Sequence, residues 1–338
     1  MKHITINDLA QRLGISKSTV SRALGGDDKN IKKETKEKIL ELSKELGYHK
    51  NELAVNLRMK STYTIGIVVP EMLTPFYMNF ITYAQNELKK GGFRVIIAQS
   101  NEDPEAERSS LQMLEGYRVD GVLLSVCHNK KNIEYYKQLE KNDIPIVFFD
   151  RTITDIPSFQ VKIDDYQSSY FMVEHLIRNG RKKIIFLAGP SYIQNSTDRE
   201  RGYKRAVEKF NLNLGEEYVL KAGLNVEDGE KAMTKILEKN ISFDAIFCFT
   251  ELVALGAKNI LQINNIKIPD EVAICCISGT KLCSIIHPKI SAVEQPVIQM
   301  AEIASQLIME RLSNKKIAEK TITLQAEMIL RESTEKFG

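Results

Sequence analysis

Two hydrophobic periods divide the chain. In residues 6–13 the apolar side chains Ile6, Leu9, Ala10 and Leu13 recur at i, i+3, i+4 and i+7, which predicts a short amphipathic helix. Thr5 followed by Asp8 predicts a capped start, and Gly14 a left-handed stop. After Ile15, Ser16 predicts the cap of a second helix over 17–24 that buries Val20, Ala23 and Leu24. A third helix over 34–46 buries Ile39, Leu42 and Leu46 and stops at Gly47. Two short helices joined by Gly14-Ile15-Ser16 and braced by a third form a helix-turn-helix pattern.

From Thr64 the period changes. Continuous apolar runs at 65–69, 94–98, 121–126, 144–149, 183–189, 245–249 and 272–277 predict strands buried on both faces. Between them, amphipathic stretches near 76–90, 103–117, 131–141, 166–179, 199–210, 227–239, 252–264 and 297–312 predict helices. The alternation predicts an α/β body of parallel sheet covered by helices on both faces. So many units exceed one open sheet of ordinary size, so two sheets are expected.

The 338 residues suit two or three domains, and 43% apolar with 27% charged residues is an ordinary globular composition. The net charge is only +3, but it is uneven. Residues 1–60 hold 13 Lys/Arg against 8 Asp/Glu, whereas the rest holds 34 against 36. A basic head on a near-neutral body points the head alone at a polyanion. The first residues lack the apolar core of a secretory signal, and no apolar run is long enough to span a bilayer, so a soluble cytoplasmic protein without membrane contact is expected. Five cysteines in such a chain are expected as reduced thiols. No Cys or His spacing fits a metal site, and no cofactor motif occurs, so neither metal nor cofactor is expected.

In a helix-turn-helix the second helix enters the major groove of DNA with its N-terminal side chains at the base edges. Lys17 and Ser18 stand at that end, and Arg22 one turn on has the fork that grips guanine or phosphate. Thr19 and Ser21 offer short hydroxyls to phosphate oxygens. The competing reading is a capped three-helix bundle with a solvated basic face.

The segments ITINDLAQRLGISKSTVSRAL, KETKEKILELSKELGY and ELAVNLRMKST followed by TIGIVVP resemble the lac repressor family of bacterial transcription regulators. The likeness continues through TPFY (74–77), IPIVFFDR (144–151), RERGY (199–203), FDAIF (243–247), ALGA (254–257) and LRES (330–333), and so covers essentially the whole chain. Lys32 departs from it, where the family usually has a Ser capping the third helix, and Asp27-Asp28 place acidic charge in the preceding loop. The resemblance implies a helix-turn-helix domain over 1–49, a hinge over 50–62 and an effector-binding and dimerisation body over 63–338 of the periplasmic-binding-protein-like type. Two doubly wound parallel-sheet subdomains are expected, one from about 63–161 and 293–322, the other from about 162–292 and 323–338, with crossings near 160–163, 291–294 and 322–325. In the hinge, Asn51 can cap a helix over 52–59 that is too short to be stable alone. The resemblance implies that paired hinge helices of a dimer enter the minor groove, with Leu57 as the apolar wedge and Ala54 allowing close approach of the partner helix. The alternative is an amphipathic linker with Leu53 and Leu57 resting on the body.

Ligands of open α/β sheets bind beyond the carboxyl ends of strands. That rule points to 70–77, 100–101, Ser125, 150–151, 190–199, 250–251 and 278–279. Within them, Phe76 or Tyr77 can stack on a ring face, and Asp150 and Arg199 can hold hydroxyls or an anion. The resemblance matches Phe76, Asp150 and Arg199 to pocket positions. Competing readings make Phe76 helix-start core, Asp150 a turn cap or partner of Arg151, and Arg199 the partner of a carboxylate within its own helix. Thr250-Glu251 stand where the family usually has Asn-Asp, and Ser278 where it has an Asp that clamps sugar hydroxyls. A serine cannot clamp vicinal hydroxyls as a carboxylate does. Three ligand readings therefore stand side by side: a differently posed sugar, an anionic or less polar ligand, or a phosphoprotein corepressor on the outer surface.

The expectation is a dimeric transcription regulator, a repressor, that binds palindromic double-stranded operator DNA and is gated by a small-molecule effector, carbohydrate-related, in the cleft. An α/β enzyme with a helical appendage is disfavoured by the absence of GxGxxG, GxxxxGK[ST] and GxSxG. A sugar-transport protein is disfavoured by the basic head.

Overall fold

The structure, a computed structural model, describes residues 4–25, 31–48, 61–313, 318 and 320–335. The expected hinge helix, with Asn51, Ala54 and Leu57, lies outside the described residues, as do Asp27 and Asp28. The chain divides into two units, Met1–Thr62 and Tyr63–Gly338.

The first unit holds helices α1 (Ile6–Leu13), α2 (Lys17–Leu24) and α3 (Lys33–Glu45). Leu9, Ala10, Val20, Ala23 and Ile39 close its small core. Thr5 and Asp8 form the expected reciprocal cap: the Thr5 hydroxyl accepts from the Asp8 amide, and the Asp8 carboxylate accepts from the Thr5 amide at 2.7 Å. Gly14 ends α1 at φ 64°, a conformation that costs a residue with Cβ. Lys32 precedes α3 with no side-chain cap.

The second unit contains two six-stranded sheets. The first joins β1 (Thr64–Val69), β2 (Arg94–Gln99), β3 (Gly121–Leu124), β4 (Ile146–Phe149), β5 (Phe159–Ile163) and β11 (Thr321–Leu324) in the order β11-β5-β4-β3-β1-β2, all parallel. Its helices are α4 (Pro75–Lys90), α5 (Pro104–Gly116), α6 (Ile133–Lys141) and α12 (Val297–Ser313). The second joins β6 (Ile184–Ala188), β7 (Val219–Lys221), β8 (Ala245–Cys248), β9 (Ala273–Gly279), β10 (Ser291–Glu294) and β12 (Glu327–Ile329) in the order β12-β10-β9-β8-β6-β7. Only the β10–β12 pair of this sheet is antiparallel. Around it lie α7 (Asp165–Arg178), α8 (Gln194–Lys209), α9 (Val226–Glu238), α10 (Glu251–Ile263) and the short α11 (Leu282–Ile285).

The chain passes between sheets after Ile163, between Glu294 and Val297, and between Leu324 and Glu327. The first two passages fall just beyond the ranges expected, because β5 and β10 run through those ranges as paired strands, and the third overlaps the end of its range. Helix α8 starts five residues before the expected 199, with Ile193 at its cap position and no side-chain capping bond to mark the start. Helices α7 and α8 approach closely at Gly202, where an added Cβ would lie 2.3 Å from the Tyr166 carbonyl oxygen. All five cysteine side chains are buried. Among the described residues no helix is long and apolar enough to cross a membrane.

Candidate functional site

In the first unit, the N-terminus of α2 is built by Ser16. Its hydroxyl accepts from the Thr19 amide at 3.1 Å and meets the Ser18 and Thr19 hydroxyls at 2.7 and 2.8 Å. Val20 and Ala23 are buried on α1 and α3, which turns Lys17, Ser18 and Arg22 outward. Thr19 and Ser21 are half-buried, whereas Thr5 is exposed at the start of α1. Among the described residues neither Lys17 nor Arg22 has an ion-pair partner, so both cations are available to an outside anion.

In the second unit a cavity of about 290 Å³ opens beyond the strand ends of both sheets. Phe76, Tyr77, Asp150, Arg199, Thr250 and Ser278 all line it. The first sheet contributes a buried relay. The Tyr77 hydroxyl, at the start of α4, donates to Asp150 Oδ2 at 2.9 Å and lies 3.1 Å from Ser125 Oγ. Burial raises the Tyr77 phenol well above its ordinary value, so it remains a neutral donor. Asp150, just after β4, and Ser278, near the end of β9, have φ 55° and 58°, in the left-handed region. That region is uncommon for residues other than glycine, and such strain concentrates at ligand sites.

Gln295 joins the halves. Its amide nitrogen donates to Ser278 Oγ at 2.9 Å and to Asp150 Oδ1 at 3.3 Å. It directly follows the carboxyl end of β10 and so obeys the strand-end rule; the sequence reading passes over it because Ser291–Glu294 is read there as a crossing and not as a strand.

Arg199 is only 1% exposed and spans the second half. Nε donates to Asp165 Oδ1 at 2.7 Å, Nη1 to the Phe249 carbonyl at 2.6 Å and Nη2 to Ser278 Oγ at 3.2 Å. Its guanidinium carbon lies 4.6 Å from the centre of the Phe249 ring. Arg199 does pair with a carboxylate, but not with one in its own helix as the competing reading had it: the partner is Asp165, at the start of α7. Burial lifts the Asp165 carboxyl to about 6 against the opposing pull of Arg199. Neither Asp165 nor Phe249 is among the sequence-derived candidates.

Asp150 hydrogen-bonds Tyr77 and Gln295, while the adjacent Arg151 pairs with Glu102 at 2.7 Å. Thr250 caps α10, its hydroxyl accepting from the Val253 amide. Glu251 is turned from the cleft centre: its buried carboxylate accepts from the Thr280 amide at 2.8 Å and from the Thr280 hydroxyl at 2.9 Å. It therefore ties α10 to the loop after β9, and burial raises its carboxyl above the usual range. At the cleft rim the Asn129 amide donates to the Tyr192 carbonyl at 2.9 Å, and His128 stacks on the Tyr192 ring at 5.0 Å. Among the described residues no cluster of three or more His, Cys, Asp or Glu side chains could hold a metal ion.

The family model for periplasmic binding proteins and the sugar-binding domain of the LacI family matches residues 62–325, and that for bacterial regulatory proteins of the lacI family matches 5–51. The transcriptional regulator RegA of Clostridium saccharobutylicum is 31% identical over 332 residues, covering 98% of this chain and 99% of its own. Catabolite control protein A of Priestia megaterium is 28% identical, with 98% and 99% covered. Among solved structures, the lac repressor dimer bound to operator and an anti-inducer has a TM-score of 0.87 at 18% identity, with 98% of this chain and 99% of that one covered. The transcriptional regulator CelR in complex with cellobiose has a TM-score of 0.75 at 24% identity, covering 98% and 100%. These structures share the fold of both sheets and the helical head. Matched over both of its units, this chain belongs to the lacI family of bacterial regulatory proteins, which are DNA-binding transcription regulators.

Proposed function

We propose that the chain represses transcription as a dimer bound to a palindromic operator, with α2 as the reading helix and the cleft cavity as the seat of a small effector. The observation that carries the DNA-binding half is the capped N-terminus of α2, which holds Lys17, Ser18 and Arg22 outward with no internal anion on either cation among the described residues. In this reading Lys17, Ser18 and Arg22 meet base edges, while Thr5, Ser16, Thr19 and Ser21 serve phosphates or the helix caps. Asn51, Ala54 and Leu57 belong to the proposed hinge. The effector half is supported by six strand-end residues meeting at one cavity, with Gln295 bonded to both sides.

Control then works by population shift: a ligand that fits one arrangement of the two halves better than the other changes the presentation of two heads to successive half-sites about 34–36 Å apart. Unbiased oligonucleotide selection with the full chain tests the proposal and is expected to return a two-fold sequence. Arg22→Ala is expected to lower affinity for that sequence by about 1–3 kcal/mol and to relax preference at one symmetric base pair. Equal loss on random DNA would make Arg22 a phosphate contact, and selection of no palindrome would overturn the proposal.

A further inference from the structure

Resting on the assignment of the cavity as the effector site, we infer that this cavity takes neutral or cationic ligands rich in hydroxyl or amine donors and turns away their anionic counterparts. Its two cations are already matched by protein carboxylates. Arg151 is buried against Glu102, and Arg199 against Asp165, each at 2.7 Å. A phosphate or carboxylate entering the cleft meets two neutralised pairs and must displace a buried carboxylate to reach either guanidinium.

The remaining charge points the same way. Of the four carboxyl-bearing residues on the lining, Glu102 is paired with Arg151, Glu251 accepts from the Thr280 amide and Glu71 from the Thr74 amide, so that Asp150 alone has neither a cation nor a backbone amide on its carboxylate. It accepts from the neutral Tyr77 hydroxyl and the Gln295 amide, and among the described residues no third donor reaches its carboxylate. Asn195, 5% exposed and on the cavity wall, carries a side-chain oxygen with no hydrogen-bond partner. A carboxylate and an orphan carbonyl oxygen both accept and neither donates, so at these two points the ligand must bring the protons. Ser278 adds one donor: its oxygen already receives Arg199 and Gln295, which leaves its own proton to give. Ser278 and the side-chain amides of Asn101 and Asn225 on the lining are neutral donors, which hydrogen-bond a hydroxyl as well as an anion and bring no positive charge to hold one. The anionic alternative among the three ligand readings thus loses its physical basis in this cavity.

The test is a thermal-shift and calorimetric survey of the full-length protein with ligands that share a carbon skeleton. The neutral probes are glucose, ribose and cellobiose. The amine probe is glucosamine, and the anionic probes are glucose 6-phosphate, ribose 5-phosphate and glucuronate. Binders are expected among the neutral and amine probes, each at least about tenfold tighter than its anionic counterpart. Asp150→Asn is expected to cost the amine probe more than the neutral one. Asn195→Ala, which keeps every charge, is expected to weaken both alike and serves as the second variant should Asp150→Asn melt early. An anionic probe that binds as tightly as its neutral parent, and is weakened by Arg199→Lys, would overturn the charge rule while leaving the cavity as the effector site. Binding indifferent to all three substitutions, or no binding by any probe, would overturn the cavity assignment and this inference with it.

Discussion

Arg199 and Asp150 line the same cavity and do different work. The guanidinium of Arg199 uses Nε, Nη1 and Nη2 on protein partners, so it builds the cleft wall. Asp150 lines the cavity with only neutral donors, Tyr77 and Gln295, on its carboxylate among the described residues. The buried partner of Arg199 gives a pH signature. Asp165 titrates near 6 in the folded protein, above its ordinary 3.8, so the folded state holds that proton more tightly than the unfolded one. The resulting stability is fully present below about 3.8 and is lost as pH rises through about 6. Thermal melts of wild type and Asp165→Asn at pH 5 and pH 7 check this. The stability of wild type relative to the variant is expected to be greater at pH 5 than at pH 7 by roughly 1 kcal/mol, and a gap that narrows on acidification contradicts it.

At the scale of elements, helix ends decide how firmly the head is held. Helix α2 starts from a working Ser16 cap, whereas α3 starts from Lys32, whose extended backbone has the shape of a cap position but no side-chain acceptor. Opposite effects are expected: Ser16→Ala destabilises the head by about 1 kcal/mol, and Lys32→Ser stabilises it by several tenths to about 1 kcal/mol. Denaturant melts followed by far-UV circular dichroism measure both. Contact between α7 and α8 depends on Gly202. Because α7 carries Asp165 and α8 carries Arg199, a methyl group there forces apart the two helices that hold this ion pair. Gly202→Ala is expected to cost about 1–3 kcal/mol and to weaken ligand binding together with stability. Calorimetric melting with parallel ligand titration reads both, and an unchanged Tm would show that the helices yield without cost.

Across the whole molecule, the net positive charge is carried by the head and the contacts between the two sheets lie in the body. Residues 1–60 have a net charge of +5, in a chain of net +3. Operator binding should therefore be steeply salt-dependent: log K falls by about 0.9 per phosphate neutralised for each tenfold rise in salt. Fluorescence anisotropy from 50 to 300 mM salt measures the slope, and Lys17→Ala or Arg22→Ala is expected to reduce it if the residue contacts phosphate. A flat salt response would contradict a backbone-clamping head. In the body, two layers of contact couple the sheets. Gln295 bridges Asp150 and Ser278 at the cleft floor, and the His128–Tyr192 stack with the Asn129–Tyr192 hydrogen bond closes the rim. A ligand that alters either layer shifts the balance between arrangements of the two halves only by its differential affinity for them.

The amino-acid sequence by itself determined the head and the inventory of the body. Ile6, Leu9, Ala10 and Leu13 repeat with the helical period, and the Thr5–Asp8 cap, Gly14 and Ser16 are local signals written within a few residues of where they act. Six of the strands announced themselves because parallel strands buried on both faces are apolar throughout, whereas the seventh apolar run, at 94–98, is the edge strand β2, which is only partly buried because nothing among the described residues pairs with its outer side. The strand-end rule then drew Tyr77, Asp150, Arg199 and Ser278 toward one cleft before any tertiary contact was known. Short and edge strands such as β7 and β12 were illegible, since three residues carry no period. The tertiary structure alone decided who holds whom. Asp165 reaches Arg199 across 34 residues, and Gln295 reaches Asp150 across 145. Contacts at such separations depend on how whole sheets and helices pack, and local pattern does not encode that. The charge character of the cavity follows from those distant pairings, because an arginine in the sequence is a cation until its buried partner is known.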